Sequence, residues 1–100
     1  MNITFNFPVT PETFAAHQEK LCGFPIRGKL REITDTWVEN INVAYEEGRA
    51  NDVAGLQNSL DIMEQLIAKN RYRPVALKLL KAARHWVIYA WKQGQKEREE

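Results

Sequence analysis

One hundred residues make one domain and are too few for two. Apolar residues at 44 % and charged residues at 27 %, with five glycines and four prolines, exclude a disordered, low-complexity or collagen-like chain. The formal net charge of +1 hides an uneven distribution. Residues 32–64 carry eight acids against Arg49 alone, whereas residues 65–96 carry eight Lys and Arg and no acid.

The chain opens on an extended pattern. Ile3, Phe5 and Phe7 alternate with polar residues and Pro8 ends the run, the period of a half-buried strand. With no second strand in the sequence, residues 1–9 are expected to form an arm, either laid on the helices or paired with another chain. Thr10-Pro11-Glu12 is a helix start, predicting a helix over 11–22 that ends before Gly23. Its inward face would be Phe14, Ala15, His17 or Gln18, and Leu21. After the connector Phe24–Gly28, a second helix is expected over 29–47. Leu30, Ile33, Trp37, Ile41 and Ala44 form its apolar stripe, Glu32, Asp35, Glu39 and Glu46 its polar face, and Gly48 its stop.

Asn51 or Asp52 caps a third helix over 52–69, with Val53, Leu56, Leu60, Met63 and Ile67 as its seam. Pro74 opens a fourth over 74–97. Two apolar stripes run along this last helix, Leu77-Leu80-Ala83-Val87-Ala90-Trp91 and Val75-Leu79-Ala82-Trp86-Tyr89. The polar remainder is narrow: Lys78, Lys81, His85, Lys92 and Lys96. A helix apolar over most of its circumference must be covered on most sides. Short links favour antiparallel neighbours. The expected fold is all-α: an antiparallel three-helix bundle plus a short N-terminal helix and the arm.

The chemistry is sparse. His17, His85 and Cys22 lack metal-site spacing, so no metal is expected. Cys22 near a helix C-terminus is disfavoured as a thiolate. Glu32 with Asp35 and Asp61 with Glu64 lie on solvated faces, where acid–base catalysis finds no shifted pKa. No phosphate loop, dinucleotide fingerprint or nucleophile elbow is present. The expectation is a protein that is not an enzyme and takes no cofactor. The longest near-apolar stretch, Trp86–Trp91, is far short of the roughly 20 residues that span a bilayer. The sequence shows no signal-peptide pattern and a single cysteine, so the expected compartment is the cytoplasm, with no membrane partner.

Two interaction classes remain. Protein association is suggested by the arm residues Ile3, Phe5 and Phe7, the over-apolar last helix, and its aromatics Trp86, Tyr89 and Trp91. The acidic faces of the second and third helices offer a second surface, one that could imitate nucleic-acid phosphates. Nucleic-acid binding would use Arg71, Tyr72, Arg73, Lys78, Lys81, Arg84 and Lys92. The bland account of these cations is that they solvate the last helix and pair with the acidic faces. A helix-turn-helix frame fits poorly, because the second helix is long and largely apolar. The leading expectation is a small regulator or inhibitor that occupies a surface on a larger protein, with a homodimer as one form. A nucleic-acid binder is the alternative. In size and texture the chain resembles small accessory proteins of prophages and other mobile elements.

Overall fold

A computed structural model describes residues 6–99. It is all-helical, with no strand among the described residues. The helices are α1 (Pro11–Cys22), α2 (Lys29–Asp35), α3 (Val38–Arg49), α4 (Val53–Lys69) and α5 (Pro74–Glu99).

α1 begins and ends as its residues dictate. The Thr13 N–H donates to Thr10 Oγ1 at 3.2 Å, and Gly23, at φ +80°, donates its N–H to the Glu19 carbonyl at 2.8 Å. Phe14, Ala15, Gln18 and Cys22 are buried. Leu21 is exposed, which corrects its expected inward placement. Cys22 occupies that position, with its Sγ 3.9 Å from the Lys78 carbonyl oxygen. Gln18 also ties α1 to α5, donating from Nε2 to the Leu79 carbonyl at 3.3 Å.

The single helix expected over 29–47 is two helices. At the break, the Trp37 N–H donates to Thr34 O at 3.0 Å, an i to i−3 contact. Thr36 Oγ1 donates to the Ile33 carbonyl at 2.6 Å. A hydroxyl that captures a nearby carbonyl competes with the regular helical ladder, and the chain turns there. The turn exposes Ile33 and buries Thr34 instead.

Gly48 does not stop α3; it lies inside it. A Cβ at Gly48 would collide with the Trp91 carbonyl oxygen, and one at Gly94 with the Tyr45 carbonyl oxygen. The backbones of α3 and α5 therefore touch where only glycine fits. α4 runs back along α5. Trp91 Nε1 donates to the Asp52 carbonyl at 3.1 Å near one end, and Arg84 pairs with Glu64 further along. α4 sits shallowly: Met63 is buried, but Val53 is 59 % exposed, so it leaves the seam expected of it.

α5 is covered by α1, α3 and α4 of its own chain. Trp86 and Trp91 are 5 % and 7 % exposed, in the core with Phe14, Ile41, Met63 and Val87. Most of the apolar excess of the last helix is thus covered internally; Val75, at the start of its second stripe, is instead 46 % exposed. In the arm, Ile3 and Phe5 lie outside the described residues. Phe7 stacks on Tyr45, with centroids 4.3 Å apart and planes 4° from parallel. The Val9 N–H donates to Asn42 Oδ1 at 2.7 Å, and Asn42 Nδ2 donates back to the Val9 carbonyl at 3.1 Å. Residues 7–9 are fastened to α3 by packing and by these two bonds.

Candidate interaction surfaces

Two concave surfaces of opposite charge stand out. The first is a broad groove of about 730 Å³ along the outer side of α3. Its lining comprises Asp35, Glu39, Glu46, Glu47 and Asp52 around Val38, Asn42, Val43 and Ala50, with no Lys or Arg. Asp35 is engaged, accepting a 2.7 Å bond from Arg31 one turn away. Asp52 caps α4, accepting the Gly55 N–H at 2.9 Å. The Glu47 carboxylate lies over the same first turn, where a Cβ on Gly55 would meet it. A helix N-terminus favours negative charge. Even so, burial and then the neighbouring charge of Asp52 raise the Glu47 carboxyl above its ordinary range. Like charge and desolvation outweigh the helix end.

The groove rests on a rigid support. Beneath α3, Tyr45 is buried and its hydroxyl donates to Glu97 Oε1 at 2.9 Å. Burial, then that bond, raises the phenol above its usual value. The phenol therefore remains a donor at neutral pH. Gln95 Nε2 donates to Asn51 Oδ1 at 2.9 Å at the same end.

The second surface is a cleft of about 270 Å³ between α1 and α5, lined by Leu21, Cys22, Lys78, Lys81, Ala82 and His85. Burial raises the Cys22 thiol, partly offset by Lys78, so the sulfur stays protonated and serves as apolar floor. Beyond the start of α5, the α4–α5 turn exposes Arg71, Tyr72 and Arg73. The Arg71 guanidinium carbon lies 4.9 Å from the centroid of the Tyr72 ring, a cation–π contact.

The residues singled out in the sequence separate accordingly. Of the aromatic candidates, Trp86 and Trp91 are core. Tyr89 is half-buried, its ring edge-on to Trp86 at 5.7 Å, and Phe7 is spent on Tyr45. These side chains brace the fold and present no continuous face. Of the basic candidates, Arg84 is paired with Glu64 and Lys92 is exposed well along α5. Arg71, Tyr72, Arg73, Lys78 and Lys81 gather toward the start of that helix. Asp61 accepts from Gln57 at 2.9 Å, and Glu64 is taken up by Arg84. His17 Nδ1 lies 2.7 Å from the Thr13 carbonyl. Among the described residues, no three His, Cys, Asp or Glu side chains are grouped to hold a metal ion, and no helix is long and apolar enough to cross a membrane.

The acidic groove includes residues that the helical stripes passed over. Asn42, Val43 and Glu47 belong to no core periodicity. Val43 and Ala50, seven residues apart, were the available signal: an apolar line within an acidic face. No protein-family model matches this chain, and no curated protein or solved structure matches it.

Proposed function

We propose that this chain is a small, non-enzymatic interaction protein, a regulator or inhibitor, that holds a basic amphipathic segment of a larger protein partner in the acidic groove of α3. In this reading α3, α4 and α5 form a three-helix bundle that carries the groove, with α1 and the arm as braces. The observation that carries it is the lining of that groove: five carboxylates around an apolar floor, without a basic residue. Carboxylates on a rim steer a cationic partner and set its register, and desolvated apolar contact supplies affinity. α3 is about 18 Å long at 1.5 Å per residue. Three turns of a partner helix would match it, with Lys or Arg toward the rim and Leu-type residues toward Val38, Val43 and Ala50. This is helix-in-groove recognition.

The test uses a fluorescently labelled amphipathic helical peptide of Leu and Lys, followed by anisotropy with the full chain. Saturable binding that weakens with salt and drops at least tenfold in a Glu39→Lys/Glu46→Lys double variant supports the proposal. Undiminished binding by that variant contradicts it. A concentration-dependent dimer that the same variant abolishes would give the groove to a second copy of the chain instead.

A further inference from the structure

The cleft between α1 and α5 shares no lining residue with the acidic groove of α3. We infer that the α4–α5 turn and the adjoining α1–α5 cleft bind single-stranded nucleic acid, with a base stacked on Tyr72 and phosphates held by Arg71, Arg73, Lys78 and Lys81.

Tyr72 is 83 % exposed, an unusual position for a large aromatic ring that contributes nothing to the core. Arg71 sits on the ring at 4.9 Å, so the aromatic is held beside a cation before any ligand arrives. An exposed ring among guanidinium groups is the arrangement that stacks an unpaired base while neutralising the phosphate beside it. Arg73, Lys78 and Lys81 are exposed, and among the described residues no carboxylate forms an ion pair with any of them. Lys78 and Lys81 lie about 6 and 10 Å along the helix from Pro74, at 1.5 Å per residue. Lys78 and Lys81 line a cleft with Leu21, Cys22 and Ala82, within the first two turns of the helix that the Arg71–Arg73 turn leads into.

The same geometry argues against duplex DNA. A reading helix presents a free face to the major groove, whereas α5 is packed against three helices, α1, α3 and α4. Bases in a duplex are stacked on each other, so an exposed tyrosine gains nothing from them. Single strands offer both unpaired bases and phosphates.

The experiment is fluorescence anisotropy with a labelled twelve-residue oligothymidylate and the full chain. Binding is expected at low salt, with log K falling linearly with log salt. The slope should be about −0.7 for each phosphate neutralised, or about −2.8 for four cations. Tyr72→Ala should weaken binding about tenfold with the slope unchanged, because stacking is not screened by salt. Lys78→Gln/Lys81→Gln should flatten the slope by about 1.4. Glu39→Lys/Glu46→Lys should not reduce the affinity, which separates this site from the acidic groove. Loss of binding in that variant, no binding at low salt, equal affinity for the matching duplex, or full affinity in Tyr72→Ala would each overturn the inference. Tyr72-dependent binding to vesicles of phosphatidylserine, with none to the oligonucleotide, would also overturn it.

Discussion

The α3 groove and the α1–α5 cleft are both shallow depressions floored by small apolar side chains, yet they hold charge differently. On the acidic side Glu47 lies over the first turn of α4 beside Asp52, and burial with that neighbouring charge makes it hold its proton more tightly, while Asp35, Glu39 and Glu46 are exposed. On the basic side Lys78 and Lys81 extend from an exposed helix edge on long stems. The uneven charge along the chain could have meant that the two halves neutralise each other in the fold. The structure shows that pairing at Arg84 with Glu64. Arg71, Arg73, Lys78 and Lys81 are exposed near the start of α5, Lys92 is exposed well along it, and Glu39 and Glu46 are exposed on α3.

The largest expected effect strikes both regions together. Trp86→Ala removes a ring packed against His17 of α1 and Tyr89 of α5 and should cost about 3–5 kcal/mol. Chemical denaturation would show a large fall in midpoint. A change of under about 1 kcal/mol would mean that α5 is not the shared support of the two surfaces. Gly94→Ala acts on the acidic side in preference, because its Cβ would strike the Tyr45 carbonyl and push α3 away. Overpacking of this kind costs about 3 kcal/mol, and the α3 amides should lose hydrogen-exchange protection before those of α1. Asn42→Ala, which leaves both backbone groups of Val9 without their partner, should cost about 1–3 kcal/mol and release Phe7 from Tyr45, seen as altered near-UV dichroism.

A smaller effect separates the two regions by pH. Glu47 binds its proton more tightly in the folded chain than in the unfolded one. Between the ordinary carboxylate range and its raised value, the folded state therefore holds more of this proton. Its contribution to stability falls as pH rises through that window. Glu47→Gln should remove this fall and stabilise the fold at neutral pH by about 0.5 kcal/mol, a modest gain because the carboxyl is still partly solvated. Tyr72→Ala, at the exposed basic end, should change stability by less than about 0.5 kcal/mol.

These two ends of the scale also mark what could be read in advance. The helix starts at Thr10-Pro11 and Asp52, and the all-helical class, follow from local capping and 3.6-residue periodicity, which the chain states residue by residue. The break at Thr36–Trp37 does not. It depends on an exposed hydroxyl bonding the Ile33 carbonyl rather than solvent, a local choice that apolar periodicity does not record. Gly48 reads as a stop because glycine usually is one; its role as a contact appears only with Gly94 opposite it, 46 residues later in the chain. Trp86 and Trp91 read equally well as core or interface, since periodicity says that a face is apolar and not what covers it. The basic candidates were legible as a run, and folding sorts Arg84 from the rest. The acidic groove was half legible: Glu39 and Glu46 stood out as a polar face, but Val43 and Asn42 gain meaning only from the curvature of the surface around them.

Titrating the isotopically labelled protein with the Leu–Lys amphipathic peptide, and following backbone amide shifts residue by residue, tests the central claim most directly. Perturbations should cluster on Val38–Ala50 and at Asp52, leaving residues 71–85 unmoved. Shifts confined to residues 71–85, or absent at saturating peptide, would contradict the assignment of the α3 groove as the protein-binding surface.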